Sequence, residues 1–227
     1  MFDVLEVLYD KGKENEELEN SLVNFLVPHF QSEQSVREFI ADCYQFPTHE
    51  TKRALHQLYR FMALSNEFET LKTGSVKDGF QVFFWIIAIE AMNKATTPLL
   101  KKQKIQIVRD FFKDSISSDD QKILIKNVIK HTSPIGTTTI EIVADMFNTV
   151  RNMVAHEGIY WMFTFPSNSG DSNLCIIPKE KTSQLSTYTM GEGNLETFTI
   201  SLAKEEVRDI IIRGALNYLK KWIDDRK

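Results

Sequence analysis

The sequence predicts a mainly α-helical protein with a small strand-rich insertion before its last helix. Three observations carry that prediction. Apolar residues recur at helical spacing through most of the first 160 positions, and proline and glycine punctuate those stripes. Only between about residues 159 and 202 does the pattern give way to short branched, aromatic or alternating runs set in Ser, Thr, Asn and Gly.

Taken in order, residues 16–26 place Leu18, Leu22, Phe25 and Leu26 on one stripe, and Pro28 stops them. Residues 35–46 carry Val36, Phe39, Ile40 and Tyr44 on one face, closed by Pro47. Thr48 then suits an N-cap for a helix to about Ser65, with Leu55, Leu58, Tyr59 and Met62 inward. Thr73, Gly74 and Ser75 mark a boundary, which divides the chain into an N-terminal helical extension (1–72) and a main domain (73–227). The helix expected over 76–94 has almost no polar face, so it should be buried on most sides, with Glu90 as the one conspicuous charge.

Two further helices are expected over 99–114 and 119–130, the second capped by Ser117 or Ser118. After Pro134, Ile135 and Gly136, a threonine run opens a helix with Ile140, Val143, Met146 or Phe147, Val150 and Val154 on its stripe and Gly158 as its stop. Residues 159–165, 174–177 and 196–202 read as strands of the insertion. The last helix, over 204–224, turns Val207, Ile211, Leu216, Leu219 and Trp222 inward.

Composition narrows the function classes without naming one. The 227 residues are 42% hydrophobic and 26% charged, which excludes a disordered or collagenous chain. A net charge of −4 provides no broad basic field for gripping a duplex. Two cysteines, Cys43 and Cys175, are too few for a disulfide framework or a Cys-rich zinc site. The start has no basic flank before an apolar core, and the most apolar run, residues 82–89, falls well short of the roughly 20 residues of a membrane span. A cytoplasmic, non-membrane protein is expected.

Glycine-rich phosphate loops, the G-x-S-x-G elbow and H-E-x-x-H are missing from the sequence; His156-Glu157 begins the last, but position 160 is Tyr. What remains is Arg151-Asn152-Met153-Val154-Ala155-His156. Arg holds phosphate bidentately and keeps its charge, His exchanges a proton near neutral pH, and Asn can orient either. A five-residue separation sets two side chains about 140° apart on an ideal helix. For the pair to act together, the helix must end or distort between them, or two copies must meet across a dimer. The structural alternative is that both are simple charges at the negative end of the helix.

Arg151-Asn152-x-x-x-His156 at the end of an amphipathic helix resembles the R-[polar]-x-x-x-H signature of HEPN domains, in the Apea-like flavour. The apolar helix around Phe83-Phe84-Trp85-Ile86-Ile87-Ala88-Ile89-Glu90-Ala91-Met92 is similar to their early core helix. The resemblance covers roughly residues 74–222 and leaves the first 70 unaccounted for. It implies a HEPN-like helical bundle that dimerises so that two motifs line one cleft. It also implies a metal-independent endoribonuclease of toxin–antitoxin, abortive-infection or other defence systems, with no cofactor. His156 would then be the general acid or base, Arg151 would stabilise the phosphorane, and Asn152 would position one of them. Glu90 would be a supporting acid, with a buried salt bridge to Arg151 or a solvated helix end as the alternatives. RNA, a second copy and an antitoxin protein are the implied partners, although members of the same family that bind RNA, nucleotides or proteins without cleavage share the signature. Relatives paired with a nucleotidyltransferase antitoxin often carry Tyr two residues after the His; here that position is Gly158, and the nearest tyrosine is Tyr160.

Lys101, Lys102 and Lys104 form a candidate RNA-binding strip, against the commoner reading of a solvated helix face. Tyr160 and Trp161 are candidates for base stacking, against anchoring of the insertion. His131 reads as a helix-end charge, and His29, His49 and His56 are given no role.

Overall fold

Helix α4 (Asp78–Thr96) sets the arrangement, because its sequence offers no polar face to give to water. The computed structural model describes residues 17–70, 77–99, 101–132, 138–159, 161–168, 170–178 and 195–227. The boundary expected at residues 73–75, the turn expected at 134–136 and Tyr160 lie outside them. α3 (Glu50–Thr70), α5 (Lys104–Asp114), α7 (Ile140–Asn152) and α8 (Lys204–Asp224) pack on α4. The others are α1 (residues 17–26), α2 (Glu33–Tyr44) and α6 (Ser118–Asn127). No helix among the described residues is long and apolar enough to cross a membrane.

One face of α4 buries Val82, Trp85, Ile86 and Ile89 completely or nearly so. Its other face, with Phe80, Phe83, Phe84 and Ile87, is half-buried against α3. There Phe68 packs on Phe80 and Phe84, with ring centroids 5.0 and 5.2 Å away. That contact carries α3 five residues past the expected end at Ser65, to Thr70. Residues of the N-terminal segment, Leu22, Val36, Leu55 and Met62 among them, belong to the same hydrophobic cluster as α4 and α8.

Other boundaries move for local reasons. Ser32 caps α2, Ser117 caps α6 and Thr139 caps α7, each side-chain oxygen accepting a backbone N–H of the first turn. Thr48 instead donates to the carboxylate of Glu50, and α3 begins there, after His49 at φ 56°. α5 starts at Lys104 rather than 99, since Leu99 is 94% exposed and the apolar stripe begins only at Ile107 and Val108. α6 ends at Asn127, and the branched residues that follow leave the helix as strand β1 (Val128–Lys130).

β1, β2 (Asn173–Pro178) and β3 (Leu195–Ile200) form an antiparallel sheet of order β1-β3-β2, with Val128 and Asn173 both opposite Ile200. Val128, Cys175, Ile177, Phe198 and Ile200 point into the core, while Ile129, Leu174 and Ile176 face out. The sheet thus draws one strand from the helical region rather than from the insertion alone. The expected strand at 159–165 is corrected: its described residues are turn and irregular chain. Its aromatic residues serve as core plugs instead. Phe163 packs on Phe147 and Phe165, and Phe165 packs on Trp85. The Phe165 amide donates to Asp78 at 2.7 Å, which holds this backbone without a strand partner.

Two stability predictions arise here. Gly214 of α8 lies so close to α5 that a Cβ there would meet Ile116 Cγ1 and Phe111 Cζ at 3.0 Å. Gly214→Ala should be near break-even, its gain in helix propensity of about 1 kcal/mol offsetting mild crowding. Gly214→Val should cost about 2 kcal/mol, read as a lower urea midpoint at unchanged slope. The second concerns the half-buried His56, whose Nε2 lies 2.7 Å from the Tyr44 hydroxyl. Burial, with Lys52 and Arg60 nearby, lowers its pKa to about 4. The unfolded chain therefore binds a proton that the folded chain refuses, so stability is full above about pH 6.5 and falls as pH drops toward 4. His56→Gln should flatten the melting temperature across that window.

Candidate functional site

α7 buries Val143, Ala144, Met146, Phe147 and Val150 on one side, and this stripe delivers Arg151 into the interior. Directly after Asn152 the helix changes type: Met153–Glu157 is a π-helical turn. Met153 stays buried and its carbonyl accepts the N–H groups of both Gly158 and Ile159. Gly158 closes the turn at φ 64°, a left-handed conformation that glycine adopts without a steric penalty. The wider turn keeps Met153 in the core while Ala155, His156 and Glu157 emerge to solvent. The motif that cannot align on a straight helix is thus interrupted by a distortion between Arg151 and His156. The turn ends the helix rather than interrupting it, with a left-handed glycine of the kind that commonly closes helices.

Arg151 is 3% exposed. One terminal nitrogen donates to Glu90 Oε2 and the other to Asn152 Oδ1, both at 2.8 Å. Glu90 comes from α4, with its side chain 13% exposed, and Lys104 at the start of α5 places Nζ 4.0 Å from the same oxygen. One carboxylate therefore faces two cations. Arg151 Nε and Glu90 Oε1 are buried and have no hydrogen-bond partner among the described residues. Each retains the capacity for one more bond, and an unmet buried polar atom of this kind needs an explanation.

The structure brings Arg151, Asn152, Glu90 and Lys104 together and puts His156 at the exposed end of the π turn. Lys102 pairs with Asp110 at 3.0 Å, and Lys101 is exposed just before α5. Trp161 is 56% exposed. Tyr160 lies outside the described residues. Among the described residues no three His, Cys, Asp or Glu side chains converge to hold a metal ion.

Sequence reasoning missed a cleft of about 280 Å³ between α4, α5 and α8. Ile89, Met92 and Asn93 line it from α4, Lys102, Phe111 and Asp114 from the α5 side, and Tyr218, Trp222 and Arg226 from α8 and its end. No sequence signal links three segments so far apart. No known protein family, curated protein or solved structure matches the chain.

Proposed function

We propose that this chain is a metal-independent endoribonuclease of HEPN type, acting as a homodimer in a bacterial defence or toxin–antitoxin system. The observation that supports this reading most is the π turn lodged inside Arg151-Asn152-x-x-x-His156, which gives the histidine to solvent at the end of a helix that fixes the arginine. His156 takes the proton of a ribose 2′-hydroxyl, and the resulting oxyanion attacks the adjacent phosphorus. The 5′-oxygen leaves with a proton, supplied by the same group or by its counterpart across the dimer. Arg151 and Lys104 stabilise the charge that builds on the phosphorane oxygens. For Arg151 this requires the phosphate to compete with Glu90, which holds the guanidinium in the free chain. Asn152 keeps that guanidinium oriented through its 2.8 Å contact.

The burial of Arg151 favours a second reading, a non-catalytic module of the same type that binds RNA, a nucleotide or a protein, with the arginine as a structural ion pair. The ends of the reaction products separate the two. Labelled single-stranded RNA should be converted to fragments with a 2′,3′-cyclic phosphate and a 5′-hydroxyl. RNA that is bound but left intact gives the second reading.

A further inference from the structure

The cleft between α4, α5 and α8 has apolar and aromatic walls, with Ile89, Met92, Phe111, Tyr218 and Trp222. Its rim balances Asp110, Asp114 and Asp225 against Lys102, Lys221 and Arg226. Three carboxylates make it a poor seat for a phosphate, whereas a flat uncharged group meets no net field. Thr97 Oγ1 donates to the Asn93 main-chain carbonyl at 2.7 Å and lies 3.2 Å from the side-chain oxygen, and the Asn93 amide lines the cleft, where its Nδ2 can donate. Asp114, exposed at the end of α5, supplies an acceptor. The Arg226 guanidinium lies 3.6 Å over the ring of the buried Trp222, so the exposed guanidinium covers the indole face and takes its place as the planar surface there. Aromatic and guanidinium planes beside paired donors and acceptors are the chemistry that receives an unstacked nucleobase.

The cleft adjoins the Arg151 site through two elements. Ile89 lines the cleft, and its neighbour Glu90 holds Arg151. Lys102 lines the cleft, while Lys104, two residues on, reaches Glu90 at 4.0 Å. We propose that this cleft is a base-binding subsite for single-stranded RNA. One unstacked base enters it, and the sugar–phosphate chain passes over Lys101, Lys102 and Lys104 toward Arg151 and His156. The inference rests on the RNA reading above and adds the determinant of base preference: Asn93 donates to a base acceptor and Asp114 accepts from its donors, which favours guanine, whose N1–H and exocyclic amine can both donate to one carboxylate, over uracil, whose only donor on that edge is N3–H.

The test uses the full chain carrying His156→Ala, with short homopolymers of A, C, G and U and a chelator present. The guanosine homopolymer should bind about tenfold more tightly than the uridine homopolymer, the scale of a hydrogen bond to a charged group. Asn93→Ala and Asp114→Ala should each shrink that ratio to about twofold or less while leaving the salt dependence of binding unchanged, because neither residue contacts phosphate. Equal affinity for all four homopolymers, or a preference that survives both substitutions, overturns the proposal. If the unsubstituted chain cleaves RNA and no cleft-dependent preference exists, the subsite falls alone. If the preference exists and the unsubstituted chain does not cleave, the subsite stands and the catalytic reading falls.

Discussion

Glu90→Ala should destabilise the fold by about 3–5 kcal/mol, the scale for stripping one partner from a buried ion pair. The reason lies in Arg151, which is 3% exposed and would keep only its bond to Asn152. A guanidinium cannot shed its proton to escape the cost. The reciprocal change should be milder. Arg151→Met leaves Glu90 partly open to solvent and within 4.0 Å of Lys104, so the stranded charge keeps a counter-ion. The double variant Glu90→Leu with Arg151→Met removes both charges at similar volume and should recover most of the loss. Urea unfolding of the unsubstituted chain, Glu90→Leu, Arg151→Met and the double variant closes this cycle, with Glu90→Ala measured beside it. A loss below about 1 kcal/mol for Glu90→Ala contradicts the buried-pair description and places Arg151 in contact with water or another acceptor.

His156→Ala should behave in the opposite way. The side chain is exposed on the π turn, so its removal should leave stability within about 0.5 kcal/mol. On the proposed reading this side chain moves the proton, so its loss should lower RNA cleavage by about 10²- to 10⁴-fold. The contrast between the two substitutions is informative. On the proposed reading Glu90 and Arg151 hold the end of α7 in place and Arg151 also faces the phosphate, whereas His156 bears on chemistry alone. A His156→Ala chain that unfolds readily would count against this division of labour.

Much of the helical arrangement was legible because its signals are local. Stripes such as Val36/Phe39/Ile40 and caps such as Ser117 and Thr139 act over one or two turns, where spacing and side-chain chemistry decide the outcome. Where contacts from far along the chain decided, sequence failed. Val128–Lys130 reads as the last turn of a helix until β3, some seventy residues later, offers it a partner. Residues 159–165 have strand composition, yet Phe163 and Phe165 are claimed by Phe147 and Trp85, and Asp78 holds the backbone. Side-chain packing overrode β-propensity there.

The candidate site divides the same way. Arg151, Asn152 and His156 lie within one six-residue stretch, and for Arg151 and His156 to act together the helix had to end or distort between them, or two copies had to meet across a dimer. The π turn is such a distortion, but its position depends on Met153 remaining buried, which only the folded core determines. The Glu90–Arg151 bridge was one of three roles open to Glu90, beside a supporting acid and a solvated helix end, and the packing of α4 on α7 forms it. The approach of Lys104 and the α4–α5–α8 cleft depend on where α5 begins, and spacing alone misplaced that start by five residues.

The account turns on whether the segment around the π turn cleaves RNA. The most direct measurement incubates end-labelled single-stranded RNA with the full chain and with its His156→Ala variant, side by side in excess chelator. The account predicts fragments ending in a 2′,3′-cyclic phosphate from the unsubstituted chain and a loss of at least about a hundredfold in the variant. RNA left intact by the unsubstituted chain, or cut equally by both, would contradict it.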